Sequence, residues 1–144
     1  MNSLLRAASA AAMLTLLTVP ARAQDASGIW LTDEKDAKIQ IAKCGNAYCG
    51  TIVWLARPLD PDTGKPSLDK QNPDQSKRKR PIMGIAIFPG MQPNGANKWS
   101  GPIYNAEDGN TYNGNISVAG ANALKVEGCL FNACQSQTWT RTTN

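Results

Sequence analysis

The chain has 144 residues, 15 Lys and Arg against 11 Asp and Glu, four cysteines and no histidine. Without histidine, the Ser-His-Asp and Cys-His arrangements and the usual base near neutral pH are excluded. The formal charge of +4 is too small to argue for a nucleic-acid face.

At the N-terminus Arg6 supplies a positive charge, and Ala7 to Val19 is an apolar run too short to span a bilayer. Ala21-Arg22-Ala23 then fits a small-x-small cleavage site. A buried N-terminal helix would have to explain why the polar Gln24-Asp25 follows so abruptly. Residues 1–23 are therefore read as a secretory signal, and 24–144 as a single domain beginning at Gln24. Subtracting 23 residues from 144 leaves 121, enough for one modest core. Losing Arg6 and Arg22 leaves 13 basic and 11 acidic residues, a net charge of +2. No later apolar stretch is long enough to span a membrane. The expected location is periplasmic or secreted.

Short β-branched or alternating apolar runs follow at 28–32, 38–44, 49–55, 82–88, 98–104, 111–118, 123–129 and 134–141. Turn signals separate most of them: Asp33 to Asp36, Gly45-Asn46, Pro93-Asn94-Gly95, Asp108-Gly109-Asn110 and Gly120-Ala121-Asn122. Alternation is cleanest where Ile39 and Ile41 oppose Lys38 and Gln40, and where Leu124 and Val126 oppose Lys125 and Glu127. The expected fold is all-β, an antiparallel up-and-down barrel of about eight strands whose closure removes the sheet edges.

Cys44 and Cys49 bracket a four-residue gap, and Cys129 and Cys134 repeat it. Such spacing is open to zinc, but without histidine only an all-thiolate site is available, and exported proteins rarely keep four free thiolates. A redox pair would need C-x-x-C at a helix start, which neither pair has. Of three possible connectivities, Cys44–Cys49 and Cys129–Cys134 are the most economical, since opposed residues flanking a hairpin turn lie within disulfide reach. Each short loop contributes about 2 kcal/mol on the chain-entropy model. No metal site is assigned.

Segment 56–81 interrupts the meander and contains Pro58, Pro61, Pro66, Pro73 and Pro81. It is too long for an idle connection. Asn72-Pro73-Asp74 reads as an N-cap, a proline at the first helical position and an acid in the first turn, with the basic run Lys77 to Arg80 at the far end. A helical turn across one end of the barrel, a lid, is expected there. Asp60 to Gly64 has some features of a calcium loop, but its glycine comes one position early and the downstream glutamate is missing. The basic run reads mainly as a solvated loop, with contact to phosphate or carboxylate head groups as the alternative.

Strand 1 begins Gly28-Ile29-Trp30, and the last strand ends Trp139-Thr140-Arg141. This resembles the lipocalin and calycin pattern, in which Gly-x-Trp meets a terminal Arg where the barrel closes. An Arg stacked on an indole with its donors on backbone carbonyls is physically sensible. Trp30, Trp139 and Arg141 are thus closure residues. Together with Cys44-Gly45, Cys49-Gly50, Thr63-Gly64-Lys65-Pro66, Asp69, Asn72-Pro73, Arg80-Pro81, Gly84, Trp99 and Ile103-Tyr104, they resemble the bacterial exported family domain of unknown function 2147. The resemblance covers nearly the whole mature chain and implies a small lipocalin-like barrel outside the cytoplasm. It carries over no catalytic residue, and the Cys129–Cys134 pair looks like a variation found in part of the family.

Three function classes follow. The leading one is a non-enzymatic barrel that binds a small apolar or amphipathic molecule, without cofactor. Trp54, Tyr104 and Tyr112 are its apolar walls, and Lys65, Asp69, Asn72 and Arg80 its polar gate, with Lys or Arg meeting an acidic head. The second is a packed structural or protein-interaction domain of the envelope, in which Asp69 and Arg80 simply pair to fix the loop. The third is a hydrolase using Asp60, Asp62, Asp69 or Asp74, which would need two carboxylates at a fixed separation. Only four Trp, three Tyr and two Phe are available to fill an interior, which favours a small cavity.

Overall fold

The computed structural model describes residues 24–144, and the proposed signal at 1–23 lies outside the described residues. Eight strands run in chain order: β1 (Gly28–Leu31), β2 (Ala37–Cys44), β3 (Ala47–Leu55), β4 (Ala86–Pro93), β5 (Lys98–Tyr104), β6 (Thr111–Val118), β7 (Ala123–Leu130) and β8 (Ala133–Thr142). Each pairs antiparallel with its successor, and β8 returns to β1, so the sheet is a closed barrel. Both hairpin staples are formed, Cys44 with Cys49 and Cys129 with Cys134. Among the described residues, no helix is long and apolar enough to cross a membrane.

Up-and-down connectivity sorts the loops. The β2–β3, β4–β5 and β6–β7 turns lie at one end, here the lower, with the 24–27 segment. The β1–β2 turn, the long 56–85 connection, the β5–β6 loop and the β7–β8 tip lie at the upper end.

The lower half is filled. Trp30, Ile41, Phe88, Met91, Ile116 and Leu124 are fully buried, each such side chain contributing about 1.5 to 3 kcal/mol by leaving water. Phe88 stacks on Trp139 with ring centroids 5.6 Å apart, and Tyr48 meets Trp99 edge-on at 5.0 Å. Gly50 makes room for Phe88, since a Cβ at that position would stand 2.5 Å from the Phe88 ring.

At the seam, β1 and β8 pair Trp30 with Arg141. The guanidinium stacks on the indole and donates to the carbonyls of Ser27 (2.6 Å), Asp25 (3.1 Å) and Ala121 (2.7 Å). Trp30 Nε1 donates to the Ala26 carbonyl at 2.9 Å, so residues 25–27 are strapped across the lower end. A Cβ on Gly28 would overlap Arg141 Nη1, and its φ of 135° also favours glycine, which gives the Gly-x-Trp glycine its physical reason.

Three local expectations are corrected. The fourth strand starts at Ala86 rather than 82, because Gly84 adopts φ 89° and Ile82 to Ile85 turn onto β3, where Gly84 N donates to the Ile52 carbonyl and Ile52 N to the Ile85 carbonyl. That strand then continues through Pro89 to Pro93, which a search for strand formers passes over. The helical turn is a single 3-10 turn at Gln75–Lys77 capped by Asp74, whose side chain accepts from Ser76 N, so Asn72 is not its N-cap.

Candidate functional site

The upper half of the barrel is hollow, with a cavity of about 930 Å³. Its floor is Ile39, Ile52 and Trp139, which belong to the buried core as well as to the lining. Ile87, Ile103, Tyr112, Val126 and Gly128 continue the wall upward, joined by Gln135 and Gln137 from β8. The rim comes from the β1–β2 turn (Thr32, Glu34, Asp36), the long connection (Arg57, Pro58, Leu59, Pro61, Ser67) and the β5–β6 loop (Asn105, Ala106, Glu107). The space is apolar at depth. Its rim carries three carboxylates and one guanidinium.

Tyr104 and Tyr112 line the cavity, but neither hydroxyl donates into it. Tyr112 Oη donates to Asp108 and Tyr104 Oη to Asp69, each at 2.5 Å. Burial pushes the Asp108 carboxyl up, but the hydrogen bonds from Tyr112 and Asn110 outweigh it and hold Asp108 below its ordinary value. Tyr112 is correspondingly pushed up, first by that hydrogen bond.

Trp54 lies outside. A β-bulge between Lys38 and Ile39 pairs Ile39 with Ile52 but Lys38 with Trp54, which leaves Val53 as the extra residue. One inserted residue reverses the facing of everything beyond it, so Leu55 points into the cavity and Trp54 onto the outer surface. There the Lys38 ammonium sits 5.5 Å from the Trp54 ring centroid. Strict alternation from Ile52 would place Trp54 inside, and the bulge removes it from the expected wall.

Asp69, Asn72 and Arg80 are brought together, but beside the cavity rather than around its mouth. Asp69 is fully buried, and its carboxylate accepts from Tyr104 Oη, Asn72 Nδ2 (2.8 Å) and Arg80 through Nε (2.9 Å) and Nη2 (2.8 Å). Burial pushes this carboxyl up, yet the donors from Tyr104, Asn72 and Arg80 outweigh it and hold Asp69 below its ordinary value. Tyr104 is pushed up by burial and then by its bond to Asp69. The cluster is a latch. It ties the middle of the long connection to the upper end of β5, and backbone bonds from Asp69 N to Arg80 O and Ile82 N to Ser67 O reinforce it.

Lys65 is exposed and lies outside the lining. In the basic run, Arg78 donates to the Asn72 carbonyl at 2.7 Å, Lys77 reaches Asp74 at 3.6 Å, and Arg80 belongs to the latch. Asp60 closes its own turn by accepting from Asp62 N and Thr63 N, and pairs with Lys70. Among the described residues, no group of three or more Cys, Asp or Glu is placed to hold a metal ion. The carboxylates of Asp60, Asp69 and Asp74 are each engaged by neighbours within or beside the segment. No reacting pair is assembled from them.

Arg57, Glu34, Asp36, Glu107, Gln135 and Gln137 were not singled out from sequence. For the glutamines a signal existed, because Trp139 faces inward and period-2 spacing puts 137 and 135 on the same face. It is faint, since Ser136 and Thr138 on the other face are polar as well.

The chain belongs to the bacterial family described as "Uncharacterized protein conserved in bacteria (DUF2147)", whose model matches residues 28–141. Among solved structures it is similar to protein HP1028 from Helicobacter pylori, described as belonging to the lipocalin family. The TM-score is 0.70 and the identity 21%, over 83% of this chain and 84% of that one. At that identity the likeness speaks for the fold alone. No curated protein matches the chain.

Proposed function

We propose that this member of the family is a non-enzymatic binding protein of the cell envelope, which holds a small apolar or amphipathic molecule in the upper half of its barrel. The observation that carries the reading is the cavity of about 930 Å³, apolar at depth and open at a polar rim, a size within the range of sites for small organic ligands. An eight-stranded barrel has room either to fill with side chains or to hold one ligand. Here Phe88, Met91 and their neighbours fill only the lower half.

The latch gives the long connection its role. Its Asp69 cluster anchors the middle of the segment to β5, leaving the Arg57 to Pro61 end as part of the rim. Lys65 lies outside the lining and Arg80 is engaged by Asp69, so an acidic ligand head finds a single Arg57 among Glu34, Asp36 and Glu107. Export is supported by the leader-like residues 1–23 and by two disulfides, which persist outside the reducing cytosol.

Native mass spectrometry of protein purified from the bacterial envelope tests the proposal. The expected result is added mass of a small organic molecule that is lost on denaturation. A bare chain mass, unchanged after incubation with an envelope lipid extract, contradicts it.

A further inference from the structure

We infer that Gln137 is the specificity-determining donor of the cavity, and that it selects an apolar ligand carrying an uncharged carbonyl, such as an acyl ester, amide or ketone, over the corresponding free acid. The inference rests on the ligand-binding reading above and deepens it by naming the ligand class.

An indole N–H only donates, so the 2.9 Å bond from Trp139 Nε1 fixes which end of the Gln137 amide faces it. The carbonyl oxygen is taken by Trp139, and the NH₂ is turned away. Gln137 lines the cavity opposite Val126, and its Nε2 has no protein acceptor among the described residues. No buried side-chain polar atom lacks a partner there, so this amide nitrogen is reached by solvent through the open cavity.

The other polar groups of the wall are committed or loose. The Tyr104 and Tyr112 hydroxyls donate to Asp69 and Asp108. Gln135, one pair nearer the mouth, is exposed. Gln137 is therefore the oriented donor of the wall, one inward position above the floor residue Trp139 that holds it.

A hydrocarbon displacing water here would leave that N–H unpaired, at a cost of about five- to a hundredfold in affinity. A carbonyl oxygen at the same depth satisfies it. A carboxylate fares worse in either direction. At depth it is desolvated with no cation nearby, since the lining contains no lysine and its one arginine, Arg57, is at the rim. At the mouth it meets Glu34, Asp36 and Glu107 against that single guanidinium.

The test is displacement of the neutral probe N-phenyl-1-naphthylamine from the oxidised protein at neutral pH by methyl laurate, 2-tridecanone, dodecane and laurate. In the wild type, the ester and the ketone should compete at least about fivefold better than the alkane and the free acid. Gln137→Glu keeps an acceptor for Trp139 but removes the NH₂, and should abolish the advantage of the carbonyl compounds over the alkane. Gln137→Met removes the donor without adding charge and should do the same, so one variant suffices should the other fail to fold. Laurate competing as well as its methyl ester overturns the inference, as does a carbonyl preference that survives in a folded variant. Absence of probe binding to the wild type removes the ligand reading itself and this inference with it.

Discussion

The Arg141 guanidinium lies 4.2 Å from the centre of the Trp30 ring, and the strand register pairs the same two residues across the β1–β8 seam. This one side chain closes the barrel, straps residues 25–27 by their carbonyls and reaches the β6–β7 turn at Ala121. Arg141→Ala should lower stability by about 2 to 3 kcal/mol, because it forfeits the stacking and leaves carbonyls short of a donor. Arg141→Lys should recover only part, since an ammonium cannot stack and fork at once. The urea midpoint measures both, and a midpoint unmoved by Arg141→Ala contradicts the closure role.

The Asp69 latch should behave as one unit. Asp69→Asn exchanges a buried anion that accepts from Tyr104, Asn72 and Arg80 for a neutral amide, and should cost about 2 to 4 kcal/mol. Combining it with Arg80→Ala should cost clearly less than the two single losses added together. Full additivity in a double-mutant cycle would show that the two residues act independently.

Acid should weaken the same latch. The folded-state pKa of Asp69 lies below its ordinary value of 3.8, so the unfolded chain takes up the proton first as pH falls. Its contribution is complete above the unfolded value and is lost as pH drops through the lower folded one. Asp25, lowered to about 2 mainly by the hydrogen bond from Tyr48, acts in the same direction and titrates over the interval from 3.8 down to about 2. Stability measured by urea between pH 5 and pH 2 should therefore fall in the wild type and fall less steeply in Asp69→Asn. Parallel curves would deny Asp69 a share in the acid sensitivity.

Trp54 should be a bystander to binding. It is 40% exposed on the outer face, outside the cavity lining. Trp54→Ser should leave probe affinity within about twofold of wild type, as for surface substitutions in general. A tenfold loss would place the indole at the ligand.

Strand alternation, hairpin turns and the two cysteine pairs made the barrel legible from sequence, because each is a local signal. Gly28 and Arg141, far apart in the chain, were readable through the pattern they form with Trp30 and Trp139. The cavity was less legible. Facing within β3 depends on one bulge at Val53, which carries no distinctive residue, and so Leu55 and Trp54 exchange places. The length and charged residues of the long segment suggest a gate, whereas Asp69 and Arg80 pair with each other beside Tyr104. Which carboxylates meet at the rim depends on three loops distant in sequence, and no periodicity within any one of them reports it.

The central claim is that the hollow upper half is a ligand site, and a paired titration of N-phenyl-1-naphthylamine into the wild type and Val126→Trp tests it most directly. Val126 lines the cavity beside its strand partner Gln137, so an indole at this position should intrude on the space a ligand would occupy. The account predicts saturable binding of one probe per wild-type barrel, and its loss in Val126→Trp with the urea midpoint retained. Absence of saturable binding in the wild type, or equal binding by both proteins, would contradict it.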